Sequence, residues 1–178
     1  MLEVFTYLLI GLIVLIGAIL ALASRRPDTF HWARTQRIEA PPAKLFPLIN
    51  DLRTMNTWNP FALRETSGTS TYRGPASGPG AAFDFAGGKS GSGTIEILEA
   101  QPPSKVVMRL SMLKPFKADN KVEFTLVPQG TATDVTWAMS GHQPLLSKAM
   151  TLFIDCDKMV GRDFEAGLRN LKAIAERA

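Results

Sequence analysis

Cysteine is almost absent: the 178-residue chain has one, Cys156, which excludes an internal disulfide and agrees with a reducing compartment. With no histidine near it, Cys156 reads as a small buried hydrophobe rather than a nucleophile. Histidine is as scarce, with only His31 and His142. Neither has an acidic or cysteine neighbour at metal-ligand or triad spacing, so structural or surface duty is expected of both, and no metal. Nucleotide loops and serine elbows are missing too. "GGKSGSG", Gly87 to Gly93, reads as a flexible tip, because no helix opens behind it. No cofactor is expected.

Charge is missing over one long stretch. Val4 to Ala23, "VFTYLLIGLIVLIGAILALA", has twenty residues without a charge, and a helix of that length spans the ~30 Å hydrocarbon core of a bilayer. A cleaved signal peptide competes, since "ALA" at Ala21 to Ala23 satisfies a small-residue cleavage pattern. The apolar run is longer than a signal requires, and no Lys or Arg precedes it, so an uncleaved single-pass anchor is expected over residues 4–23. Arg25, Arg26, Arg34 and Arg37 follow the run, and the positive-inside rule then puts the carboxyl-terminal part in the cytoplasm.

The chain after Ser24 carries all 20 Lys and Arg and 15 of the 16 acids, an excess of five positive charges. That excess suits a domain beside anionic lipid headgroups, where each basic residue is worth about 1 kcal/mol. The basic residues are scattered and no helix-turn-helix, zinc or RNA-binding signature accompanies them, so nucleic acid is not an expected partner.

Residues 24–28 read as a linker and 29–178 as one domain. Thr29 to Ile38 is rich in β-formers and reads as a strand that Pro41 and Pro42 stop. Pro42 to Asn50 can begin a short helix, since proline is tolerated in a first turn, and Pro47 keeps it short. A second helical turn is expected over Asp51 to Thr57, with Trp58, Asn59 and Pro60 turning the chain. From Phe61 to Ser140 short β-like runs are divided by Gly, Pro and Ser, the pattern of an antiparallel sheet. The runs expected as strands are Thr71 to Arg73, Ala82 to Phe85, Gly93 to Glu99, Lys105 to Leu113, Lys121 to Val127 and Ala132 to Met139. Val106, Met108, Leu110 and Met112 alternate to one face, as do Val122, Phe124 and Leu126, then Val135, Trp137 and Met139. After Pro144, Met150, Phe153, Ile154, Val160, Phe164, Leu168, Leu171 and Ile174 recur at helical spacing, so one helix of about 30 residues is expected to lie on the dry face of the sheet.

This order of elements, with "IEAPPAKLFPLINDLRTMNTWNPF", "EILEAQPPSKVVMRL", "VEFTLVPQGTATDVTWAM" and "MVGRDFEAGLRNLKAIA", resembles the SRPBCC (START-like) superfamily, in the branch of polyketide cyclases/dehydrases and lipid transport. The resemblance implies an α+β helix-grip fold whose cavity, between the long helix and the sheet, holds apolar ligands. Its members range from carriers to cyclases, so the fold does not choose among them.

The residues expected to line such a cavity are Trp58, Phe61, Phe83, Phe85, Met108, Leu110, Met112, Trp137, Met139, Met150 and Phe153. Adaptable methionines among them suit variable apolar shapes. Asp157 falls in the apolar stripe of the last helix. A carboxylate there either sits at the stripe's edge and pairs with Arg162 or Arg109, or serves as a polar anchor or general acid/base for a ligand. Gly161 and Gly167, mid-helix, imply close approach of a strand, as packing, or of a ligand. The function expected is binding of a hydrophobic small molecule or lipid at the bilayer surface, as carrier, sensor or chaperone. A cyclase or hydratase-like enzyme using Asp157 or Tyr72, and an accessory subunit docked in a membrane complex through Val4 to Ala23, are the alternatives.

Overall fold

A computed structural model describes residues 2–65, 67–88 and 91–177. Lys89 and Ser90, in the tip expected to be flexible, lie outside the described residues. The first helix, α1, covers Leu2–Ser24 and is long and apolar enough to cross a membrane or to serve as a signal sequence. Its side chains are exposed along nearly its whole length, except Ala23, which is fully buried where the helix meets the domain.

Seven strands follow: β1 Thr29–Ile38, β2 Thr69–Arg73, β3 Ala82–Ala86, β4 Ser92–Gln101, β5 Lys105–Lys114, β6 Ala118–Gln129 and β7 Ala132–His142. They form one antiparallel sheet in the order β1-β7-β6-β5-β4-β3-β2. Register shifts between Ser92 and Gly93 and between Ile97 and Glu99 interrupt β4, and such bulges bend a strand and increase its twist. Between β1 and β2 lie three short helices, α2 Pro42–Asn50, α3 Leu52–Met55 and α4 Pro60–Leu63. Pro42 opens α2 at its first turn, and Asp51 then leaves helical backbone and caps α3, its Oδ1 accepting from Arg53 N at 2.8 Å. The expected turn at Trp58 to Pro60 is instead the start of α4. Asn59 Oδ1 accepts from Phe61 N at 3.1 Å and Pro60 occupies the first helical position, the pairing that favours helix initiation.

The single 30-residue helix expected after Pro144 is two helices, α5 Leu145–Met150 and α6 Cys156–Ala175. Two local hydrogen bonds make the break: Thr151 Oγ1 donates back to Lys148 O at 2.8 Å, and Asp155 Oδ1 accepts from Lys158 N at 2.9 Å as the cap of α6. Helix α5 packs against α1 rather than on the sheet. Lys148, almost fully buried, ion-pairs with Asp28 of the linker, and that bond holds the Asp28 carboxyl below its ordinary range.

One face of the sheet is charged, with pairs such as Arg109–Glu96 at 2.8 Å and Arg37–Asp134 at 2.8 Å. Asp84 on that face accepts from Arg73 and from Thr94 Oγ1 at 2.7 Å, and these bonds lower its pKa to about 2 from 3.8. A depressed carboxylate pKa stabilises the fold above the unfolded value, and the contribution disappears as pH falls from 3.8 toward 2. Asp84→Asn is therefore expected to lower the urea midpoint at pH 7 and to match the unsubstituted chain near the foot of that window. Equal loss at both pH values would count against the pairing.

Candidate functional site

The concave face is built by side chains at every second position, and the ladder aligns them in rows. Trp137 lies opposite Phe124, which lies opposite Val106; Met139, Val122 and Met108 form the next row; Asn120, Leu110, Ile95 and Phe83 the next; and Met112, Gly93 and Phe85 the last. Burial changes along these rows. Val106, Met108, Phe124, Val135, Trp137 and Ile97 are buried, whereas Leu110, Met112, Met139, Ile95, Phe83 and Phe85 are half-buried. The sheet is sealed at one end and open at the other. The open end is the one where Thr29 faces His142, next to the linker from α1 and the start of α5.

The seal is aromatic. Trp137 stacks on Phe164 of α6 at 4.4 Å and 11°, tilts against Phe124 at 5.0 Å and meets Trp58 edge-on at 5.9 Å. Trp58 is fully buried, with its Nε1 donating to Leu48 O at 2.9 Å, so it closes the core and does not stand at a rim. Trp137 Nε1 has no acceptor among the described residues. Phe61 is half-buried and meets Trp137 edge-on at 6.3 Å, on the border between the sealed and open halves.

Gly167 makes the seal: a Cβ there would lie 2.6 Å from Trp137 Cζ3 and 2.9 Å from Pro60 Cδ. Neither neighbour is the free end of a flexible chain. Gly167→Ala is expected to lose about 1–3 kcal/mol to overpacking, more than the ~1 kcal/mol that alanine gains in helix propensity. A raised urea midpoint in that variant would show that the helix lies further from Trp137.

Two expected lining residues, Met150 and Phe153, and the two helix positions weighed for ligand contact, Asp157 and Gly161, fall elsewhere. Met150 is 40% and Phe153 73% exposed, because α5 and the 151–155 turn leave the sheet. Asp157 stands in the first turn of α6, 52% exposed; the apolar stripe does not reach it from Phe153, because Phe153 is not in that helix. It pairs with neither Arg162 nor Arg109 but with Arg34 of β1, whose Nη1 donates to Oδ1 at 3.0 Å. Arg34 Nε also donates to Glu165 at 3.1 Å, and Nη2 to Asp157 O at 3.1 Å. The Asp157 bond raises the pKa of Arg34 further. Gly161 provides the seat for this guanidinium, since a Cβ would lie 2.0 Å from Arg34 Nη2. Asp157 and Gly161 thus belong to a clamp between β1 and α6.

Above the open end, Phe30 and Trp32 of β1 stack at 4.1 Å and, with Arg26, Gln143 and residues 151–157, surround a cleft of about 560 Å³. These two rings were not among the expected residues, though they share parity with Arg34 along β1. Tyr72 lies at the far edge of the concave face; its hydroxyl accepts from Asn56 Nδ2 at 3.0 Å, and Arg53 stands 4.2 Å over its ring. His31 and His142 are exposed, Cys156 is half-buried, and no metal-binding cluster exists among the described residues.

The sequence model of the family described as "Polyketide cyclase / dehydrase and lipid transport" matches residues 29–176. No curated protein matches the chain. Among solved structures, a Thermobifida fusca protein is similar at TM-score 0.61 and 20% identity, over 83% of this chain and 93% of that one. A Chromobacterium violaceum protein gives 0.56 and 17%, over 84% and 99%. Ara h 8.0201 gives 0.59 and 12%, over 84% and 99%. At such identities the likeness is one of fold: a curved antiparallel sheet with a carboxyl-terminal helix, the helix grip.

Proposed function

Since the chain belongs to the polyketide cyclase / dehydrase and lipid transport family, for which hydrophobic-ligand binding or cyclase-like roles are the general expectation, we propose that it binds a hydrophobic small molecule or lipid in the open half of the grip. On this reading it works as a carrier, sensor or chaperone held at a bilayer by α1. The observation that carries it is the burial gradient. Leu110, Met112, Met139, Ile95, Phe83 and Phe85 remain half-buried on a face whose other half is sealed. Apolar surface left partly in water inside a concavity is recovered by an apolar ligand.

Placement beside a membrane is supported by the same end of the domain. There α5 and the following turn expose Leu145, Leu146, Met150, Phe153 and Ile154 close to α1, and exposed apolar clusters of this kind mark lipid or protein contacts. Arg25 and Arg26, just after α1, support the cytoplasmic side. The cyclase reading has less support, because Asp157 is engaged by Arg34 and the Tyr72 hydroxyl by Asn56.

Native mass spectrometry of the full chain released from lipid nanodiscs tests the proposal. One retained apolar molecule per chain is expected. A chain that emerges empty under gentle release, from every lipid mixture tried, would overturn it.

A further inference from the structure

Among the described residues, four polar or charged side chains are buried: Asn59, Asn120, Thr133 and Lys148. Three have partners. Asn59 Oδ1 accepts from Phe61 N, Thr133 Oγ1 donates to Ala40 O at 2.7 Å, and Lys148 pairs with Asp28. The Asn120 side chain, 9% exposed, has none among the described residues. It stands on the concave face, between Gly141 of β7 and Leu110 of β5.

Its neighbours make the position open to a ligand. A Cβ on Gly141 would lie 2.1 Å from Asn120 Oδ1 and 3.0 Å from Phe30 Cε1, so the amide rests over bare backbone beside the Phe30 ring. That ring is a wall of the 560 Å³ cleft. On the other side, Leu110 belongs to the half-buried apolar band. The amide therefore stands between the Phe30 wall of the cleft and the open half of the grip. The amide is not among the fully buried unpaired atoms, so water reaches it in the empty chain; an apolar ligand that covers it without bonding removes that water at a cost that a hydroxyl or carbonyl avoids.

We infer that Asn120 is the polar anchor of the ligand site, and that the ligand is a long apolar molecule carrying one neutral oxygen function, a hydroxyl or a carbonyl. The inference rests on the hydrophobic-ligand reading above and narrows its chemistry. An amide offers both donor and acceptor, which suits a hydroxyl and also accommodates a carbonyl. An anionic head group would call for a cation. Arg34, the cation on the inner face of β1, is already bonded by Asp157 and Glu165; Arg26 lines the cleft, and the palmitate arm of the test shows whether it draws an anion instead. A bare hydrocarbon would leave the amide unpaired.

The test uses the full chain in phosphatidylcholine nanodiscs equilibrated with equal amounts of 1-hexadecanol, palmitate or hexadecane, retention being read by native mass spectrometry. The unsubstituted chain is expected to retain hexadecanol about tenfold over hexadecane and over palmitate, the worth of one net hydrogen bond. Asn120→Leu is expected to lose the preference for the alcohol, to keep binding hexadecane, and to melt no lower than the original. Should Asn120→Leu not fold, Asn120→Ala carries the same comparison. Failure of both to fold would mark the residue as structural and overturn the inference. No preference in the original chain, a preference for palmitate, or a preference that survives substitution would overturn it too, while leaving the hydrophobic-ligand reading intact. Retention of none of the three probes would count against both.

Discussion

Trp137→Ala is expected to destabilise the domain by about 3–5 kcal/mol, the range for removing a large aromatic from a core. Domains of this kind have about 5–15 kcal/mol in total, so this one residue carries a large share of the stability. The expectation rests on how many elements the indole joins. It is 3% exposed, stacks on Phe164 of α6, and touches Phe124 of β6, Trp58 after α3 and Phe61 of α4. Gly167 lets α6 come down on it, so alanine would leave a hole that the helix backbone and Pro60 cannot fill without moving. Trp137→Phe is expected to cost far less, because it keeps a ring against Phe164 and removes an Nε1 donor that has no acceptor among the described residues. Urea unfolding followed by far-ultraviolet circular dichroism measures both. A loss under about 1 kcal/mol for alanine would mean that helix and sheet are not sealed through this residue.

The largest effect on binding is expected from Leu110→Arg. Leu110 stands between Ile95 and Asn120 in the half-open band, and a guanidinium there would be opposed by apolar walls. Its desolvation on ligand entry is costly without a partner, and retention of an apolar molecule should fall at least about a hundredfold. Stability should change much less, since the site is half open and the long side chain can turn its head toward water. Leu113→Arg is the matching control. It adds the same charge one residue beyond the band, at the bulge between Met112 and Lys114, where Leu113 is 60% exposed. Retention that falls equally in both variants would point to a charge effect on the whole domain instead of a local site.

Most of the fold was legible because its signals are local. Alternation over Val106 to Met112 and Val122 to Leu126 needs only neighbours along the chain, and Pro41 and Pro42 act on their own backbone. The break between α5 and α6 was hidden for a physical reason. Hydrophobic spacing reports which residues are apolar, and Phe153 and Ile154 are apolar yet exposed, so the period ran through a turn. The available signal was Asp155, a capping residue placed before the renewed helical pattern. The Arg34 clamp could not be read, since its partners lie 123 and 131 residues away. Asn120 was missed because the strand was begun at Lys121, although Asn120 continues the two-residue period of Val122 and Phe124. The burial gradient exists only once the helix is seated on one end of the sheet.

The central claim is that an apolar ligand occupies the open end of the concave face. Irradiation of the full chain in nanodiscs with a diazirine-bearing long-chain alcohol, followed by peptide mapping, tests it most directly. Adducts are expected at Phe83, Phe85, Ile95, Leu110, Met112 and Met139, and to disappear from these positions in Leu110→Arg. Adducts confined to α1 and the charged outer face of the sheet would contradict the account.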